Sequence, residues 1–196
     1  MGFPRAPQGA LGPLSFGVVT AVLWQSSEGG SDLCVLEEIG RNWRLRGTVL
    51  AAAGKEPVEI RYRVDASPMW VTQDVDVLVA FAGGDPREPF ELGGLWSGKE
   101  RPPELEDCAD VDLGFTPATN TLPIRRLRLE VGEEAEVAAV WLRWPELRAE
   151  RAVQRYARLA KDRYRFSQED FSAELVVDDQ GLVLGYAGLW RAVVHV

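Results

Sequence analysis

Apolar and polar residues alternate with a period of two along most of this chain, and short turn sequences separate the alternating runs. Val58, Ile60, Tyr62 and Val64 alternate with Glu59, Arg61 and Arg63, and Trp43, Leu45 and Val49 alternate with Arg44, Arg46 and Thr48. Successive side chains of a strand point to opposite faces, so this pattern sets one face on a core and the other in water. Gly54-Lys55-Glu56-Pro57 and Asp178-Asp179-Gln180-Gly181 have the chemistry of hairpin turns. From Met69 to Phe81 the odd positions are mostly apolar, with Asp74 and Asp76 on the opposite face. Phe171, Ala173, Leu175 and Val177 alternate again, and Leu182 to Tyr186 and Leu189 to Val194 supply the last strands. Strand, tight turn, strand throughout predicts an all-β, mainly antiparallel fold with at most one or two short helices.

Residues 1–16 are rich in Pro and Gly and read as an irregular N-terminal arm, which leaves 17–196 as a single β domain. Residues 146–162 are the one helix-like stretch, because Val153, Tyr156, Ala157 and Ala160 share a face at helical spacing. Residues 83–109 read as a long loop around Leu92, Leu95 and Trp96. Alternating strands, a Tyr-Arg-apolar triplet (Tyr62-Arg63-Val64; Tyr164-Arg165-Phe166) and a Trp-bearing strand occur twice. This loose correspondence fits an internal duplication with halves of about 17–110 and 111–196.

Hydrophobic residues make up 46% of the chain, enough for a substantial core. The net charge of -8 argues against nucleic acid as a partner, since an acidic surface repels phosphate backbones. Arg125, Arg126 and Arg128 form the one compact basic cluster. No apolar run approaches the roughly 20 residues of a membrane span, and Pro4, Pro7 and Pro13 interrupt any signal-peptide core, so the expected location is the cytoplasm. Cys34 and Cys108 are then expected as thiols.

Most catalytic signatures fail on inspection. Gly93 to Lys99 has the spacing of a phosphate-binding loop, but Glu100 replaces the required hydroxyl residue and Pro102-Pro103 blocks the following helix. His195 is the only histidine, which excludes a His-based triad or a multi-histidine zinc site. Neither a metal nor a cofactor is expected. Asp110 and Asp112 share one face of a strand, where clustered carboxylates suit a hard cation. Against that stands Arg125, which in a strand from Ile124 to Val131 falls on the apolar face with Leu127 and Leu129. A buried guanidinium left unpaired costs on the order of several kcal/mol, so a structural cluster of Asp110, Asp112 and Arg125 is favoured over a metal. Alternatively the arginines hold an anionic head group, with Thr116, Thr119, Asn120 and Thr121 adding hydrogen bonds. Those same side chains also suit a turn rigidified by its own backbone bonds and by Pro117 and Pro123.

The stretch from Asp110 to Leu129, DVDLGFTPATNTLPIRRLRL, resembles the signature of the putative glycolipid-binding family of bacterial proteins. Trp43-Arg44-Leu45-Arg46-Gly47 is similar to that family's early Trp-x-Leu-x-Gly strand, and Tyr62, Trp70, Trp96 and Cys108 fall at matching positions. In the C-terminal half Pro145, Gln154, Tyr156, Phe171, Asp178, Gly181-Leu182-Val183 and Tyr186 match. Ala118 stands where the family usually has Phe, and Ala187 where it has Pro. The resemblance implies a large, strongly curved antiparallel sheet forming an open or half barrel, similar in shape to bacterial lipoprotein carriers whose concave face shelters acyl chains.

The leading expectation is a non-enzymatic protein that binds a glycolipid or another amphipathic or apolar molecule in the concave face. Trp24, Trp43, Trp70, Trp96, Trp141 and Tyr62 are candidates for the lining, and Thr119, Asn120, Arg125 and Arg126 for the polar contacts. Two alternatives stand beside it: a protein–protein interaction module, and a hydrolase acting on a sugar or lipid head group with Asp110 and Asp112 as acid and base.

Overall fold

Consecutive alternating runs pair as hairpins, and the hairpins add up to one sheet. The computed structural model describes residues 17–81, 90–91 and 102–196. β1 (Gly17–Ser26), β2 (Ser31–Ile39), β3 (Asn42–Ala53), β4 (Glu56–Ala66), β5 (Thr72–Phe81) and the two-residue β6 (Phe90–Glu91) make a first antiparallel meander. β7 (Asp110–Leu113) lies parallel to β8 (Glu134–Arg143). A second meander continues through β9 (Arg148–Ala160), β10 (Arg163–Gln168), β11 (Phe171–Val177), β12 (Val183–Tyr186) and β13 (Trp190–His195). β13 pairs antiparallel with β1 and so joins the two meanders into a sheet of thirteen strands. The sheet curls until it is nearly closed into a barrel with one seam. Across that seam the Thr72 N–H donates to the Ala109 carbonyl at 3.1 Å. Residues 1–16 and most of the loop expected over 83–109, Trp96 included, lie outside the described residues.

Three sequence expectations fail, each for a physical reason. The helix expected over 146–162 is β9, whose Ala152, Gln154 and Tyr156 are buried while Val153 is 47% exposed. The inward set alternates, but it includes a glutamine, and this hides the period of two from a hydrophobicity count. Ten residue pairs to β8, from Glu134↔Ala157 to Arg143↔Arg148, override the local helical spacing. The strand expected from Ile124 to Val131 is instead the end of helix α1 (Thr121–Leu127) and a turn. Pro123 sits in the first turn of α1, where its missing N–H costs nothing, whereas within a strand it would remove a ladder bond. Arg128 ends the helix in the left-handed region, at φ 51°. The strand read from Met69 begins only at Thr72, because Ser67 Oγ accepts from the N–H groups of Met69 and Val71 and folds a turn there.

The interior is filled, not hollow. Every residue from 115 to 124 is buried. One apolar cluster joins Val22, Trp24 and Leu36 of the first meander to Val111, Leu113 and Leu122. A second joins Ile124 to Tyr156, Phe166, Leu175 and Val183 of the other meander. The segment between β7 and β8 therefore crosses the barrel from one wall to the other.

Candidate functional site

The crossing segment is fixed at both ends by side-chain hydrogen bonds. Pro117 leads into a 3-10 turn at Ala118–Asn120, and Thr116 Oγ1 accepts from the Ala118 N–H at 3.0 Å. The Thr116 hydroxyl donates to Asp32 Oδ2 on β2 at 2.5 Å, and the Tyr62 hydroxyl on β4 donates to the same oxygen at 2.9 Å. On the opposite wall the Tyr156 hydroxyl donates to Asn120 Oδ1 at 2.9 Å. Asp32 is wholly buried, and its Oδ1 meets no partner among the described residues. Burial pushes its carboxyl up to about 7, against the two hydrogen bonds that favour ionisation.

Beside the segment, a cavity of about 540 Å³ opens between β7, β8, β10 and the β11–β13 strands. Phe166, Phe171, Tyr186, Trp141, Trp190 and Leu189 give it an apolar wall. Phe166 packs edge-on to Tyr186 with ring centroids 6.1 Å apart, and Phe171 stands 43% exposed beside both. Asp112, Thr116, Asn120 and Gln168 supply the polar part, and Glu169 and Asp170 stand on the β10–β11 turn. Gln154 Nε2 donates to Asp112 Oδ2 at 2.6 Å and to Gln168 Oε1 at 2.9 Å, so one glutamine on β9 orients two cavity side chains. Burial raises the Asp112 carboxyl to about 6, with the Gln154 hydrogen bond opposing.

Asp110 points to the same face as Asp112 but has a different fate. It is buried, and Arg126 grips both of its oxygens, with Nε at 3.2 Å and Nη2 at 2.5 Å. Burial still raises its carboxyl, with Arg126 pulling the other way. The expected Asp–Arg cluster therefore needs correcting in its partner: Arg126, not Arg125, meets Asp110, because α1 turns Arg125 away in a manner no strand would. Asp112 accepts from Gln154 and, among the described residues, meets no arginine.

Arg125 lies over the Trp70 ring, 5.0 Å from its centroid, and donates to the Asp179 carbonyl at 3.3 Å. Trp70 in turn stacks on Trp43 at 4.5 Å and adopts φ 64°. Trp70 and Arg125 border a separate polar cleft of about 420 Å³ lined by Arg128, Arg158, Lys161, Glu130, Asp162 and Asp179, with Lys161 Nζ 3.1 Å from Asp179 Oδ1. Thr119 Oγ1 accepts from the Leu113 N–H at 3.2 Å. Trp24 is buried, its indole N–H bound to the Val183 carbonyl at 2.6 Å. Of the aromatic residues expected to line a ligand, the structure places Trp141 on the 540 Å³ cavity and Trp43, Trp70 and Tyr62 elsewhere, while Trp96 lies outside the described residues.

Sequence reasoning missed Asp32, Gln168, Phe166 and Trp190, and took Gln154 and Tyr186 only as matches. A signal existed for Asp32, which occupies the buried parity of Asp32-Leu33-Cys34-Val35-Leu36, where an acid is out of place. A further hollow of about 560 Å³ lies on the outer face of β2 to β5. Its arginines are spent within the sheet: Arg44 on Asp65 at 2.6 Å, Arg46 on Glu37 at 2.8 Å, Arg61 on Glu59 at 2.6 Å, and Arg63 on Asp65, Asp74 and Asp76. Among the described residues no three His, Cys, Asp or Glu side chains converge to hold a metal ion, and no helix is long and apolar enough to cross a membrane. Cys34 and Cys108 form no disulfide, and burial raises the Cys34 thiol, which suppresses its nucleophilicity.

The chain is similar in fold to a crystal structure of a DUF1089 family protein from Pseudomonas aeruginosa. The TM-score is 0.70 at 24% identity, over 96% of this chain and 99% of that one. No curated protein matches the chain significantly. The family described as Putative glycolipid-binding matches residues 21–192, a span that includes the whole crossing segment and the cavity wall, and the chain belongs to that family.

Proposed function

We propose that this protein binds an amphipathic small molecule, of glycolipid type, in the 540 Å³ cavity and performs no chemistry on it. The observation behind this reading is the lining: an aromatic wall facing a polar group of Asp112, Asn120 and Gln168 that Gln154 and Tyr156 hold in place. The volume lies in the range of small-molecule sites, and an apolar wall with a few fixed polar groups is their usual make-up. Each methylene that leaves water contributes about 0.8 kcal/mol, so an alkyl tail supplies affinity and the polar end orientation. The family description supports a glycolipid as the class. A hydrolase that uses Asp110 and Asp112 together is the weaker reading, because Asp110 is buried and both of its oxygens are held by Arg126.

Native mass spectrometry of freshly purified protein, followed by solvent extraction, tests the proposal. A stoichiometric lipid or glycolipid that Trp190→Ala fails to retain is the expected result. A bare protein that gains no mass from a panel of alkyl glycosides would sink it and favour a protein partner instead.

A further inference from the structure

The cavity has a charge that its family description does not address. Asp112, Glu169 and Asp170 line it, and among the described residues no lysine, arginine or histidine does. Guanidiniums on the neighbouring elements are engaged or turned outward: Arg126 with Asp110 at 2.5 Å, Arg143, which lies 4.7 Å over the Trp141 ring, with Glu150 at 3.2 Å, Arg163 with Glu174 at 3.4 Å and Arg191 with Gln25 at 2.6 Å, while Arg165 alternates with buried Phe166 and is exposed. Asp112 Oδ2 accepts from Gln154, and Oδ1 meets no protein partner among the described residues. Phe166, Phe171, Tyr186 and Trp190 line the same cavity as these acidic side chains. Ring faces are negative and attract cations, most strongly where water is excluded. A carboxylate adds a charge-assisted hydrogen bond to an N–H donor. An anionic group, in contrast, would find no positive charge among the described lining residues and would face three carboxylates.

We infer that the polar end of the ligand is a positively charged nitrogen, an alkylammonium or amino-sugar head group, and that the cavity rejects anionic amphiphiles such as fatty acids and phospholipids. This rests on the cavity being the binding site. Asp112 would receive the cation directly, and Glu169 and Asp170 at the turn would attract it on entry. Glu169 is held there by backbone geometry, at φ 51° between Gln168 and Phe171, which pair across the hairpin.

Three probes with one tail and different heads separate the possibilities: octylammonium, octyl glucoside and octyl sulfate, titrated calorimetrically into the full chain at near-neutral pH and low detergent concentration. The ammonium probe should bind roughly tenfold or more tightly than the glucoside, and the sulfate should bind most weakly. Asp112→Asn should remove most of the preference for the ammonium over the glucoside. Asp179→Asn, which removes the same charge outside the cavity, should leave the preference intact. If Asp112→Asn disturbs folding, Glu169→Gln on the exposed turn replaces it and should lower the preference about threefold. Equal affinity for all three probes, or the same loss in the Asp179 variant as in the Asp112 variant, overturns the inference while leaving the cavity as a binding site. No binding of any probe overturns both.

Discussion

At the scale of single residues, two buried carboxylates make stability depend on pH in an unusual sense. Folded Asp32 keeps its proton up to about pH 7, whereas the unfolded chain releases it near 3.8. The folded state therefore binds more protons between those values, and stability falls as pH rises through that window, by about 1.4 kcal/mol per unit. Asp112, raised to about 6, adds to the same trend over the lower part of the window. Urea unfolding should thus show a higher midpoint at pH 5 than at pH 8. Asp32→Asn, whose amide oxygen still accepts from Thr116 and Tyr62, should be more stable than the parent at pH 8 and lose most of this slope. An unchanged slope in that variant would mean that Asp32 ionises freely in the folded protein. Arg126 poses the converse case. Removing it as Arg126→Ala strands Asp110, whose side chain is 1% exposed, and should cost about 3–5 kcal/mol. Arg125→Ala loses a contact with Trp70 and one hydrogen bond, and should cost about 1 kcal/mol. Equal losses would refute the pairing. The sequence made the need for an arginine partner legible, but not which one, because that choice depends on whether the segment coils or extends.

Among the elements, the hairpins were readable because the period of two and the turn residues agree along β3, β4, β11 and β12. The reading failed where the inward residue is polar for a local reason. Gln154 breaks the apolar stripe of β9 because it orients Asp112 and Gln168, so the feature that obscured the strand is part of the candidate site. Asp32 in β2 is a second instance. The α1 segment failed for lack of length: seven residues give too few turns for a helical stripe. One close approach between strands makes a sharp test. Tyr62 on β4 lies across Gly47 on β3, and a Cβ at position 47 would stand 2.4 Å from the Tyr62 hydroxyl oxygen. Gly47→Ala must push the ring aside, break its hydrogen bond to Asp32, and destabilise the protein by about 2–4 kcal/mol. Thermal unfolding of Gly47→Ala beside Tyr62→Phe checks the cause. If the ring is what moves, the double variant should lose less than the sum of the two.

For the whole molecule, the near-closed sheet and the segment that crosses it decide how much ligand can enter. The shape implied by family resemblance is a trough that takes tails of any length. Here the residues from 115 to 124 occupy the interior and tie both walls together through Asp32 and Asn120, so the open volume is confined to the side of β7, β8 and β10 to β13. No sequence pattern announces this, because Phe115 to Ile124, with three threonines, an asparagine and two prolines, reads as a rigid polar turn, and only the closure of the sheet turns it into a plug. The consequence is a limit on tail length. Across alkyl glucosides from eight to fourteen carbons, affinity should rise roughly fourfold per methylene while the tail still finds apolar wall. It should then level off once the tail meets the crossing segment. Calorimetric titration of that series distinguishes a bounded cavity from a trough: a plateau within the series fits the fixed plug. An unbroken rise to fourteen carbons would require the segment to leave the interior, and Thr116→Val, which cuts its bond to Asp32, should then steepen the rise.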